Sequence, residues 1–259
     1  MRLRLAKGLC AAGLLFTCFG CSSSGYDDEA VEALVTAING MAEANSMALT
    51  GDITANGEKD GTPIKVKISL DGEANYEKAE DLQMKFTMGM NANGLSMNDL
   101  AKIYIKDNTM YMDFMNEKQK QAFPEELSQL EDLPDFSIHM DADQLKNSFD
   151  TIKYEDKENG VIKLEMNDTI HDSFMTGMKS SANEMDLKDY TLTMTVKNNR
   201  LSEIKMNLDL LTEGEALEME IAFAFDKFDQ IKKIEFPDFK EFKESNSDSL
   251  LGNDLDSYL

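Results

Sequence analysis

Tryptophan is missing from this chain, and proline (four), histidine (two) and cysteine (three) are scarce. His139 and His171 stand far apart with no cysteine nearby, so the short-spaced ligand set of a zinc site is excluded. Cys10, Cys18 and Cys21 all fall within the first 21 residues. Nothing downstream can form a disulfide, and the domain must be held by its core alone. Positive charge is also short: 26 Lys+Arg face 49 Asp+Glu, a formal net charge of -23. That balance argues against nucleic acid or anionic headgroups as electrostatic partners. No apolar run approaches 18 residues, which excludes a transmembrane helix. Phosphate-cradling glycine loops, a dinucleotide fingerprint and G-x-S-x-G are all lacking. Ser202-Glu203-Ile204-Lys205 fits S-x-x-K, but on a strand that spacing sends serine and lysine to opposite faces. Asp141-Ala142-Asp143 opens like a calcium loop and fails at Lys146 and Ile152, where glycine and glutamate belong. The expectation is a chain that is not an enzyme, with no metal and no cofactor.

What is present begins at the N-terminus. Arg2, Arg4 and Lys7 form a basic head, and an apolar run from Gly8 to Phe19 follows, the length of a secretory signal core. Gly20 precedes Cys21, and Ser22-Ser23-Ser24-Gly25 supplies a polar spacer. Three basic residues and no acidic one lie in residues 1–20. Cleavage there leaves 23 basic against 49 acidic side chains, a formal charge of -26.

The next stretch is helical. Val31, Leu34, Val35, Ile38 and Met41 make one apolar stripe, with Asp27, Asp28 and Glu29 at its start, where the helix dipole favours negative charge. The period then changes to two. Ile64-Val66-Ile68-Leu70, Met84-Phe86-Met88-Met90, Ala101-Ile103-Ile105 and Met110-Met112-Phe114 alternate with polar residues, after a less regular first strand over Met47–Ile53. Residues 116–160 interrupt the meander with a short helix after Pro124 and another around Asp141–Phe149. Strands resume at Ile162–Met166. A helical segment over Asp168–Met185 follows, then strands over 190–196, 204–210 and 217–225, and a short one at 231–234. The order helix–meander–helix–meander suggests an internal duplication, roughly 28–114 against 168–235.

About ten strands at roughly 4.8 Å spacing make an apolar face about 48 Å wide, more than two helices of about 10 Å can cover. The predicted fold class is therefore α+β: a strongly curved antiparallel sheet, a half-barrel, wrapped around helices. The predicted organisation is a signal peptide over 1–20, a tether over 21–27, a single half-barrel domain over 28–236 and an acidic flexible tail over 237–259.

Gly20-Cys21 and its flanks resemble the lipobox of bacterial lipoproteins, in which the cysteine is acylated after cleavage. Cys18, with Leu15 three residues before it and Thr17 adjacent, is the rival position. With the helix and interrupted meanders, the chain is similar to the lipoprotein-carrier superfamily of LolA/LolB-like and LppX/LprG-like proteins. Closest in style are Gram-positive lipoproteins of that fold, matching Ser46–Gly51 and Lys102–Asp113. The resemblance implies a lipid anchor at Cys21, the extracytoplasmic face of the cell membrane, and a hydrophobic cavity for an acyl chain or lipid. It offers no catalytic residue. The expected lining is Met84, Phe86, Met88, Met90, Ile103, Met110, Met112, Met194, Met206, Leu208, Met219 and Phe223. Methionine suits such a lining because it adapts its shape, although its β propensity is low. The expected partners are the membrane, through the lipid, and one apolar ligand, with the protein a monomer. The alternative is a cell-surface interaction module with a filled core. Lys102, Lys106, Lys118 and Lys120 mark a candidate less acidic rim for a headgroup.

Overall fold

Apolar alternation at period two is what builds this molecule, and strand register shows how far it carries. The computed structural model describes residues 25–59, 61–77, 82–122, 140–179, 185–212 and 214–245; the expected signal peptide, the helix expected after Pro124 and the far end of the expected tail lie outside them. Helix α1 spans Asp28–Ala42 and is capped by Asp27, whose carboxylate accepts from the Glu29 and Ala30 amides. Six strands follow: β1 (Ser46–Lys59), β2 (Thr62–Asn75), β3 (Gln83–Ala92), β4 (Leu95–Lys106), β5 (Thr109–Phe114) and β6 (Glu117–Ala122). Helix α2 (Ala142–Ser148) begins with a capping box of Asp141 and Gln144. Next come β7 (Phe149–Asp156), β8 (Val161–Met166) and helix α3 (Asp168–Lys179). Strands β9 (Met185–Lys197), β10 (Arg200–Thr212) and β11 (Glu215–Asp226) precede a last short strand, β12 (Lys243–Glu244).

All twelve strands join one curved, unclosed sheet in the order β12-β6-β5-β4-β3-β2-β1-β11-β10-β9-β8-β7. Every pairing is antiparallel except β12 on β6. The first meander starts at the centre and runs outward, whereas the second starts at the far edge and returns to the centre. The two halves therefore do not repeat, and the expected duplication is absent from the topology.

The sheet has more strands than the expected ten, for local reasons. β6 reads Glu-Lys-Gln-Lys-Gln-Ala and has no apolar alternation, because it lies near an edge. In β7 a register shift between Phe149 and Thr151 spaces the buried Phe149 and Ile152 three apart, which hides a strand behind a helical interval. Residues 231–234 are not a strand. Ile231 and Ile234 are instead buried against Ala48. Helix α3 is described to Lys179, and Met185, expected as helical, opens β9.

The main core lies between α1, α2 and strands β7–β10: Val31, Leu34, Leu145, Phe149, Ile152, Ile162, Leu164 and Leu192 are each no more than 2% exposed. Met140 is docked onto α1 by a reciprocal pair, its amide donating to Asn39 Oδ1 (2.8 Å) and its carbonyl accepting from Nδ2 (3.0 Å).

Candidate functional site

In an antiparallel ladder, directly opposed residues share a face, so each register row can be followed across the sheet. One row runs Met112–Ile103–Phe86–Gly72–Leu49–Phe225. The next runs Phe114–Ala101–Met88–Leu70–Gly51–Phe223–Ile204–Met194–Ile162. A third runs Met97–Met90–Ile68–Ile53–Ile221–Met206–Leu192–Leu164–Ile152. Met110 and Met84 flank Ile105 in a further row, and Met219 and Leu208 pair in another. All twelve residues expected as lining thus lie on one face, which α1 identifies as the inner one.

That face is covered unequally. Met194 (4% exposed) and Leu208 (1%) are in packed clusters, and Met206 and Met219 pack against them beneath α1 and α3. On the first meander Met84, Phe86, Met88, Met90, Ile103, Met110 and Met112 are all only half-buried, as are Ile53, Ile68 and Leu70 beside them. Phe223, on β11, is half-buried too. The candidate site is therefore the inner face of β1–β5 with Phe223 at its border.

Two glycines shape its floor, and the reading from side-chain type passed over both. The Phe86 ring lies on Gly72, where an added Cβ would stand 2.4 Å from it, and the Phe223 ring lies on Gly51 at 2.7 Å. Glycine inside a strand is the sequence signal for such close approach. The rings lie low across the sheet instead of standing up from it, and the face stays smooth.

The outer face is covered by a segment that follows β11. Residues 231–244 cross it as a strap, with Asn75 Nδ2 donating to the Ile231 carbonyl (2.8 Å) and the Ile231 amide donating to Ser46 Oγ (3.1 Å). Phe239 stacks on Tyr111 at 3.7 Å, and Phe236 and Phe242 meet Tyr104 edge-on. The boundary expected at 236 is therefore too early. Residues 237–245 belong to the fold, because Phe239 and Phe242 are hydrophobic anchors in an otherwise charged stretch, and Phe242 is 6% exposed. Burial raises the pKa of the Tyr104 hydroxyl. The lysines considered for a headgroup are already engaged: Lys118 with Glu241, Lys120 with Glu244, Lys102 with Asp99 and Lys106 with Asp107.

Two open depressions lie elsewhere. One of about 660 Å³ sits at the β6–β12 edge over Gln119, Glu241 and Lys243, and one of about 480 Å³ runs along α3 over Asp168, Asp172 and Thr176. Both are largely lined by polar residues, and the first meets the inner face only at its rim, through Glu117 and Gln119 opposite Phe114 and Met112. Ser202 and Lys205 are occupied separately, Ser202 Oγ donating to the Thr195 carbonyl and Lys205 pairing with Glu220 at 2.7 Å.

No family model and no curated protein match the chain. Among solved structures it is similar in fold to LprF from Mycobacterium bovis, at 12% identity and TM-score 0.43, over 83% of this chain and 99% of that one. It is likewise similar to the lipoprotein LppX from Mycobacterium tuberculosis, at 11% identity and TM-score 0.44, over 81% and 100%. A third, the YwiB protein of Bacillus subtilis, stands at 8% identity and TM-score 0.23, over 71% and 94%. Likenesses this distant say nothing of ligand or partner. Function has to be read from the chain's own surfaces.

Proposed function

We propose that this chain is a non-catalytic lipoprotein, cut before Cys21, acylated there and held on the extracytoplasmic face of the cell membrane. Its half-barrel takes an acyl chain or similar apolar ligand against the inner face of β1–β5. The observation that carries this reading is the contrast between the two halves of one continuous apolar face. The β7–β10 half is filled by α1, α2 and α3, while the β1–β5 half keeps a row of half-buried methionines and phenylalanines. Each methylene withdrawn from water contributes about 0.8 kcal/mol, so six in contact supply about 5 kcal/mol against an association cost that starts near 4. Methionine adapts to a flexible chain of varied length, which suits a face that must accept it without a fixed shape.

The test uses the unacylated Cys21→Ser protein. It should leave the membrane fraction, release lipid on solvent extraction as read by mass spectrometry, and bind a fluorescent fatty acid in solution. Absence of both lipid and probe binding sinks the ligand reading. A variant that stays with the membrane sinks the anchor. The alternative, a cell-surface interaction module with a filled core, predicts a lipid-free extract.

A further inference from the structure

Sulfur is unevenly spread over the inner face. β1 and β2 carry one methionine, Met47, and fill that face with Ile53, Val66, Ile68 and Leu70. β3–β5 place Met84, Met88, Met90, Met97, Met110 and Met112 on the same face. Methionine is a poor strand former, and isoleucine or valine would serve a merely apolar surface better. What methionine brings besides a pliable shape is an oxidisable sulfur.

Exposure decides which thioethers an oxidant meets. All six on β3–β5 are half-buried and reach solvent. Met140, Met166 and Met194 are instead buried within the packed core. No cysteine follows Cys21 and the chain has no tryptophan, so neither thiol nor indole in the domain competes for the oxidant.

A sulfoxide on this face is a strong acceptor with nothing to donate to it. The row through Met84 reads Met47–Ala74–Met84–Ile105–Met110 across β1–β5. The rows through Met88, and through Met90 with its directly opposed Met97, likewise hold only apolar side chains and glycine on these strands. A sulfoxide oxygen covered there by an acyl chain loses water and gains no partner, which weakens binding about fivefold or more for each one covered.

Met110 and Met112 differ from the other four. On β6, Gln121 stands opposite Met110 and Gln119 opposite Met112, on the same face and both half-buried. Their side-chain amides supply N–H donors next to those two sulfurs. The methionines of β3 and β4 have no such neighbour on their rows.

We infer that Met84, Met88, Met90 and Met97 are a modification site, at which hydrogen peroxide switches the inner face from accepting an apolar ligand to refusing it. This rests on the reading of that face as a lipid site. In the step a sulfur lone pair attacks one peroxide oxygen, the S–O bond forms as the O–O bond breaks, and the other oxygen leaves as water with both protons. Sulfur gives up two electrons and oxygen takes them. A methionine sulfoxide reductase reverses the change, two thiols becoming a disulfide as the oxygen departs as water. The test treats the unacylated Cys21→Ser protein with hydrogen peroxide, removes the peroxide, and maps sulfoxides by peptide mass spectrometry. The β3–β5 methionines should oxidise before Met140, Met166 and Met194. Affinity for a saturated fluorescent fatty acid should fall about tenfold or more with the far-ultraviolet strand signal intact, and reductase with dithiothreitol should restore it. A variant carrying Met84→Leu, Met88→Leu, Met90→Leu and Met97→Leu should change less than about twofold on treatment, relative to its own untreated affinity. Met110→Leu with Met112→Leu should stay as sensitive as the parent. Unaltered affinity in the oxidised parent overturns the switch, as does equal sensitivity in the fourfold variant. Loss of the strand signal together with binding overturns it too, since the effect is then damage to the fold. Failure of the untreated parent to bind the probe overturns the lipid site instead.

Discussion

At the scale of single residues, the glycines matter more than their number suggests. Gly72 and Gly51 give up strand propensity so that the Phe86 and Phe223 rings can lie on the backbone. Gly72→Ala should force the Phe86 ring off its seat, at about 1–3 kcal/mol by overpacking, or roughly 2–4 °C of Tm per kcal/mol. Adding Phe86→Leu to the same chain should recover most of that loss. If the double variant melts no higher than Gly72→Ala alone, the strain lies in the strand and not in the ring. Gly25 is a stricter case. Its added Cβ would stand 2.0 Å from the Asp150 carbonyl oxygen, which is backbone and cannot swing aside. Gly25→Ala should break the bonds that tie residues 25–27 to Ile152, exposing the Asp27 and Ile152 amides to hydrogen exchange while the core around Leu164 stays protected. Neither Gly72 nor Gly51 is picked out by a reading that asks only which side chains are apolar. They are marked by being glycine where a strand should have something larger.

At the scale of elements, nine strands and the onset of the three described helices are legible because most of their apolar positions repeat at a steady period and Asp28, Asp143 and Asp168 put negative charge in the first helical turns. What the sequence hid are the elements whose burial is one-sided or interrupted. β6 carries charge because Lys118 and Lys120 reach Glu241 and Glu244 across the outer face. From residue 237 the strap reads as solvated tail, because Phe239 and Phe242 are outnumbered by lysine, aspartate and glutamate. Two titratable groups that contact the strap, Tyr104 and Lys118, give it a pH dependence. Burial raises the Tyr104 hydroxyl above its usual value, and the hydrogen bond to Glu241 raises the Lys118 ammonium above its own. Both shifts leave the folded state holding more protons than the unfolded chain above pH ~10, so stability falls as pH rises. The contribution is whole below that value and is lost as pH climbs through the raised ones. Near-ultraviolet circular dichroism should therefore show the strap's aromatic signal fading above about pH 10, before the far-ultraviolet strand signal. Lys118→Met should weaken the early phase. A single transition shared by both signals, unchanged in the variant, contradicts this account.

At the scale of the whole molecule, the open sheet is finished by the two ends of the described chain. Gly25–Asp27 lie along β7 with Tyr26 bridged to Ile152, and Lys243–Glu244 pair in parallel with β6. The Tyr26 hydroxyl donates to the Lys146 and Phe149 carbonyls at 2.8 Å each, and Lys146 and Lys157 pair with Asp28 and Glu29 on α1. A curved sheet that never closes has two rows of unpaired backbone groups, which template association unless they are covered. Curvature was foreseeable from the width of apolar face against the helices available. The covering of the edges was not, since two-residue pairings leave no periodic trace. The strap end carries the larger consequence, because it shields both the β6 edge and the Tyr104–Tyr111 surface. A chain ending at Pro237 should expose both at once and associate with rising concentration, read as increasing mass by light scattering during gel filtration. A chain ending at Ser245 keeps Phe239, Phe242 and the β12 pairing, including the Ser245 amide bond to the Lys120 carbonyl at 2.9 Å, and should run at the mass of the full chain. If the Pro237 chain also keeps that mass while its Tm falls, the strap is a packing element alone, and edge protection belongs to the charges of β6 itself.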